Sequence, residues 1–217
     1  MPRARSGETR ERIQAAALDL FSEQGVQQTS LRAIAERLGL TKPALYYHFP
    51  SREELVRSLV QPLIEDIEEL IARDEAAGST DPRALLGGYF DASCRHRRVT
   101  ALVARELATL SYLDLGARVM DWRRRLIALL AGPEPDLTAQ CRAVTAIGGL
   151  SDCLVFFGDA DPSELRPAVL AAALSALGIE DAEDAEGAAD AEGRRAAEEP
   201  EGPEKREAGK PEAAGGA

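Results

Sequence analysis

Lys42, Tyr46, Tyr47 and His48 stand close together in the segment TKPALYYH, and between them they carry an ammonium group, two phenolic hydroxyls on rigid apolar bodies and an imidazole. These groups donate hydrogen bonds to phosphate oxygens, and a lysine can also reach the acceptor edge of guanine. The short side chains of Pro43 and Ala44 fit against thymine methyl groups. The chemistry implied is recognition of duplex DNA, with no covalent bond made or broken.

Such side chains act together only if one helix presents them on one side. The preceding stretch LRAIAERL places Leu31, Ile34, Ala35 and Leu38 on a single apolar helical face, with Gly39 where the chain must turn sharply. Ala35 is small where a second helix has to cross the first closely. Thr41 is suited to cap that second helix, Pro43 to sit in its first turn, and Leu45 to point back into a shared core. Lys42, Ala44, Tyr46, Tyr47 and His48 then face outward. Upstream, Ile13, Ala17, Leu20 and Phe21 form another helical stripe that ends at Gly25, and Ser30 can cap the helix starting at Leu31. The reading is three helices around one small core, arranged as a helix-turn-helix.

Residues 8–60 resemble the N-terminal domain of TetR-family transcriptional regulators, without a gap through LFSEQG, TSLRAIAERLGLTKPALYYHF and SREEL. The resemblance implies that Tyr47 holds a backbone phosphate, that Tyr46 faces a base or its methyl group, and that Lys42 contacts phosphate or guanine. It also implies that Arg52, opening the next helix, contacts phosphate. Ser30 and Arg32 lie at a helix N-terminus, where free N–H groups favour an anion. His48 either reaches phosphate or packs under the long helix that follows. The expected DNA-facing set is Ser30, Arg32, Thr41, Lys42, Pro43, Ala44, Tyr46, Tyr47, His48 and Arg52, with Thr29 a weaker candidate. Arg3 and Arg5 form a basic arm that either enters a minor groove or stays solvated.

The chain of 217 residues is 45% hydrophobic but only 5% aromatic, so its core must be built largely from Ala and Leu, a composition that favours helices. Beyond the head, SREELVRSLVQPLIEDIEELIARDEAAG reads as a long helix with a bend expected at Pro62. Five more helical segments follow to residue 179, two of them opened by Asp-Pro. The expectation is an all-α chain of nine helices: an arm over residues 1–8, a helix-turn-helix domain over 9–51, a ligand-binding and dimerisation domain over 52–179, and an acidic disordered tail over 180–217. That tail has no Leu, Ile, Val or aromatic residue and cannot bury a core. Its role is either to modulate DNA binding or to aid solubility.

A net charge of −11 is unusual for a DNA-binding chain until it is divided. Residues 180–217 hold 13 acidic and 5 basic side chains, whereas residues 1–58 hold 9 basic and 7 acidic. Phosphate contacts depend on where the cations sit, not on their sum.

In the second domain, the resemblance implies a small-molecule pocket among the middle helices whose filling moves the long linker helix. Tyr89, Ser93, Cys94, Arg97, Arg105, Trp122 and Phe156 are the candidate walls, and Tyr112 is a further aromatic in the same stretch. The last two helices read as a dimer interface through Ala143, Ala146, Ile147, Leu150, Leu154, Leu165, Val169 and Ala172, whose small side chains permit close approach. The resemblance implies a four-helix interface between two subunits, which would place two recognition helices in successive major grooves.

Cys94, Cys141 and Cys153 have no metal-ligand spacing and read as buried reduced thiols; no metal site and no cofactor is expected. No stretch approaches the roughly 18 apolar residues that span a bilayer, and the N-terminus has no apolar secretion segment, so a cytoplasmic protein with no membrane partner is expected. A Gly-rich phosphate loop and a nucleophile–base arrangement are both missing, so no catalytic residue is assigned. The expected partners are double-stranded DNA, a second copy of the chain and a small-molecule effector. The expected function is a repressor released by that effector; the alternative is an activator, or a ligand-independent DNA-binding protein of the same fold.

Overall fold

A computed structural model describes residues 2–110 and 115–179. The acidic tail and Tyr112 lie outside the described residues. Those described form nine helices and no strand: α1 (Pro2–Gln24), α2 (Leu31–Leu38), α3 (Lys42–His48), α4 (Arg52–Ala77), α5 (Pro82–Arg95), α6 (Arg97–Leu110), α7 (Leu115–Ala131), α8 (Leu137–Phe156) and α9 (Pro162–Leu177). Residues 2–8, expected as a separate arm, are the opening turns of α1. None of the described helices is long and apolar enough to cross a membrane.

The head is assembled from short elements whose ends are all satisfied. Ser30 accepts from Ala33 N at 3.1 Å and Thr41 from Ala44 N at 3.3 Å, so both short helices start on a side-chain cap. Gly39 ends α2 with φ of 64°, a left-handed conformation that costs an L side chain energy, and the backbone N–H of Leu40 then returns to Ala35 O at 2.9 Å. This tight reversal sends α3 across α2. Ile13, Ala17, Phe21, Ile34, Ala35, Leu45 and Phe49 fill the space between α1, α2, α3 and the start of α4. Thr29 is buried, with its hydroxyl donating to Gly25 O at 2.8 Å; it holds a loop together and presents almost no surface.

α4 passes through Pro62 as one helix and belongs to both halves of the molecule. Its first turns bury Leu55, Val56 and Leu59 against the head, and its later turns bury Ile64, Ile67, Leu70 and Ile71 in the body. One apolar core therefore runs from Ile13 to Leu174 without a break. α7 is fastened along α4 by two bidentate pairs: Arg118 to Glu68, at 2.6 and 3.1 Å, and Arg125 to Glu75, at 2.6 and 2.9 Å. The arginine hydrogen bond holds the Glu75 carboxyl below its ordinary range.

Burial of Leu45 is what joins α3 to this core. Leu45→Ala should lower the free energy of unfolding by about 2–5 kcal/mol, measured by urea denaturation followed by circular dichroism. An unchanged midpoint would mean that α3 does not depend on this contact.

Candidate nucleic-acid interface and effector cavity

Tyr47 is 81% exposed and Tyr46 42%, large fractions for aromatic side chains, and both stand on the outer side of α3. Lys42 Nζ lies 5.5 Å from the centroid of the Tyr46 ring, and the Tyr47 and His48 rings meet edge to face with centroids 5.3 Å apart. Lys42, Pro43, Tyr46 and Tyr47 are exposed; Ala44 and His48 are half-buried. The Ser30 and Thr41 hydroxyls are engaged as caps, leaving their lone pairs directed at backbone N–H groups. Arg32 pairs with Glu36 at 2.7 Å on the exposed face of α2, and that bond raises its pKa. Such an exposed pair is easily exchanged for another anion.

Two arginines hold this surface in position. Arg52 donates to Val26 O and Gln27 O at 3.3 and 2.9 Å, clamping the α1–α2 loop, so the residue expected at phosphate is engaged within the head. Arg10, which the sequence did not single out, donates to His48 O at 3.1 Å and lies 4.2 Å above the Phe49 ring. It ties α1 to the end of α3. No local motif marks it, because its partners lie 38 residues away in the chain.

In the body, a cavity of about 420 Å³ opens among α4, α5, α6, α7 and α8, within the usual range for small-molecule sites. Tyr89, Ser93 and Trp122 line it as expected from the sequence. Four of the expected walls do not. Cys94 packs partly against the core, and Arg97 donates to Phe157 O and Ala160 O at 2.6 and 3.2 Å, closing the α8–α9 turn. Arg105 is exposed beside Phe21 and Gly25 near α1, and Phe156 is 82% exposed. Among the walls missed were Thr100, Met120, Arg123, Ser151 and Asp152, brought together from three helices. Burial raises the pKa of Tyr89, whose hydroxyl lies 2.8 Å from Ser151 Oγ.

The expected dimer face is corrected by burial. Ala143, Ala146, Ile147, Leu150, Leu154, Leu165 and Val169 are packed inside their own protomer, between α8, α9 and the other body helices, and so cannot meet a second copy. Of that set only Ala172 is exposed. The outward strip of the two helices carries Val144, Thr145, Gly149, Asp152 and Phe156 on α8 with Ala168, Ala171 and Ala172 on α9. Cys141, expected to be buried, is exposed on the same helix, while Cys94 and Cys153 are partly buried and all three thiols are free.

The described residues thus join a capped helix-turn-helix head to an all-helical body that holds a cavity. The head matches the family described as bacterial regulatory proteins, tetR family, over residues 13–59. It is 40% identical over 75 residues to the HTH-type transcriptional regulator TtgR of Pseudomonas putida, a match covering 35% of this chain and 36% of that protein. A longer match, 29% identical over 147 residues, links 67% of this chain to 59% of the tetracycline repressor protein class C of Escherichia coli. The first of these spans only about a third of its relative's length. In fold, the chain is similar to the ketosteroid transcriptional regulator KstR2 of Mycobacterium tuberculosis, with a TM-score of 0.61 at 24% identity over 80% of this chain and 95% of that one. A transcriptional regulator from Aquifex aeolicus gives a TM-score of 0.58 at 24% identity, covering 75% and 95% of the two chains. The chain carries a TetR-family head and the all-α fold of TetR-family regulators.

The inward and outward faces of α8 separate two substitutions. Ala146→Glu buries a carboxylate without a partner and should lower the thermal midpoint by roughly 10 °C or more, whereas Val144→Glu, at a position 47% exposed, should lower it by much less. Calorimetry on both variants reads the difference; equal losses would mean that both faces are buried.

Proposed function

We propose that this chain is a homodimeric, DNA-binding transcriptional repressor released from a near-palindromic operator by a small molecule. The observation that carries the reading is the exposed row on α3, where Lys42, Tyr46 and Tyr47 stand on a helix capped at its start and anchored by Leu45 at its back. Tyr47 is assigned to a backbone phosphate and Lys42 to phosphate or guanine, with Ala44 and Pro43 against thymine methyls. Ser30, Arg32, Thr41 and His48 flank them. Arg32 leaves Glu36 for a phosphate when DNA arrives. Arg52 acts through the loop it clamps and adds a phosphate contact only if it gives up those carbonyls.

The dimer is assigned to the outward strip of α8 and α9. Val144, Gly149 and Phe156 with Ala168, Ala171 and Ala172 supply exposed apolar and small residues for close helix packing, interrupted on α8 by Thr145 and Asp152, and a second copy places a second α3 about 34–36 Å from the first. The effector is assigned to the body cavity. α6 lends it Thr100 and Val103, while on its other side Arg98 pairs with Asp19 of α1. α4 lends Leu63 and Ile67 and continues directly into the head. A ligand that fits only one arrangement of α4 and α6 therefore biases the spacing of the two heads, and its differential affinity sets the size of the effect.

An operator selected from random duplexes and used in gel shifts tests this reading. Tyr47→Phe should weaken binding to every sequence by about 1 kcal/mol, and Lys42→Ala should reduce the slope of log affinity against log salt by roughly one. Wild-type affinity and slope in both variants would move DNA recognition away from α3. Val144→Glu should sediment as a folded monomer; a dimer mass would place the interface elsewhere.

A further inference from the structure

The polar groups of the cavity are unevenly matched. Ser151 Oγ donates its one proton to Ile147 O at 3.0 Å, so the Tyr89 hydroxyl must donate to Ser151. Thr100 Oγ1 donates to Ser93 O at 2.9 Å. These hydroxyl protons are therefore in use. Two other donors are not: Ser93 is 1% exposed and Trp122 3% exposed, and neither the Ser93 hydroxyl nor the Trp122 indole N–H completes a hydrogen bond. Burial raises the Tyr89 pKa against the opposing pull of Ser151, Arg123 and, last, Ser93, whose hydroxyl completes no hydrogen bond there. Buried donors without acceptors are rare and call for a missing partner.

A charge stands beside them. Arg123 Cζ lies 6.0 Å from the centroid of the Trp122 ring, whose own centroid is 5.6 Å from that of Tyr89. Among the described residues Arg123 forms no ion pair, unlike Arg118 and Arg125 on the same helix. Among the described residues one carboxylate lines the cavity, Asp152, and it is exposed, so water screens it. Burial raises the Tyr89 pKa, so this phenol adds no negative charge at the inner end. The remaining walls are mainly apolar, among them Leu63, Ile67, Val103 and Val119.

We propose that this cavity binds an apolar monocarboxylate, with its carboxylate oxygens accepting from Ser93, Trp122 and Arg123 and its hydrocarbon body against Leu63 and Val103. The inference rests on the effector half of the proposed function and specifies the ligand's chemistry. A carboxylate offers several acceptor positions at once, enough to satisfy the indole N–H, the hydroxyl and the guanidinium together. An alcohol of equal length satisfies fewer of them and leaves Arg123 without a counter-charge.

Trp122 is the only tryptophan of the chain and forms a wall of the cavity, so its fluorescence reports occupancy directly. The full-length protein is titrated with decanoate, decan-1-ol and decylamine, each below its micelle concentration. Decanoate should give a saturable change and bind at least about tenfold more tightly than decan-1-ol, as a charge-assisted bond requires. Arg123→Met should abolish that preference while leaving the alcohol's affinity unchanged, and Ser93→Ala should weaken decanoate severalfold. Equal affinity for acid and alcohol, tighter binding of the amine, or no saturable change with any of the three overturns the proposal. These comparisons on the wild-type protein decide it even if a variant fails to fold. A gel shift with the same compounds separates the two readings. Decanoate that binds without releasing DNA leaves the ligand assignment standing and overturns release by that ligand, whereas DNA binding with no occupancy by any probe does the reverse.

Discussion

A helix of seven residues is too short to persist in water alone, because nucleation costs more than so few hydrogen bonds return. α3 is such a helix, and the central proposed contacts with DNA, those of Lys42, Tyr46 and Tyr47, stand on it. Its existence depends on burying Leu45 and Phe49 against α1, α2 and α4, on the Thr41 cap at one end, and on Arg10 gripping the carbonyl of His48 at the other. The exposed aromatics can stay out in solvent because the opposite side of the same helix is fully engaged. Tyr46 and Tyr47 bring large contact area on stiff side chains, so little conformational freedom remains to be lost on meeting a partner.

That dependence extends through the molecule. α4 is the floor of the head and also a wall of the cavity, and α6 lies against both the cavity and α1. A change in cavity filling cannot be absorbed by α4 or α6 alone, since the core around them is continuous from Ile13 to Leu174 and close-packed interiors transmit displacement. The arginine–carboxylate pairs along α4 and α7 favour one register of these helices, with individually modest strength because they are partly exposed. Gly88 shows how tight the α4–α5 contact is: a Cβ there would fall 2.6 Å from Leu70 Cδ1.

The head was legible in the sequence for a local reason. Its caps, its turn glycine and its apolar stripes are decided within a few residues of each other, so Ser30, Gly39, Thr41, Pro43 and Leu45 could each be assigned a place from their neighbours alone, and the structure gives them those places. The same logic gave the all-α class and the order of the helices. It did not give Arg10 or the engagement of Arg52, whose partners are distant in the chain.

The body resisted that reading for a different reason. α8 is apolar or small on both sides, so periodicity identifies two candidate faces and cannot say which one packs inward. Packing against α6, α7 and α9 settled it, turning Ala146 and Ile147 into the core and Val144 and Phe156 to the outside, the reverse of the face chosen from small residues. The cavity is likewise a property of the assembly: Thr100, Arg123 and Ser151 meet only because α6, α7 and α8 are brought together. Sequence alone determined what each short segment would become, since propensity, capping and turn chemistry act locally. Tertiary structure decided which apolar face found a partner first and which donors were left without one, because burial and hydrogen-bond pairing depend on residues far apart in the chain.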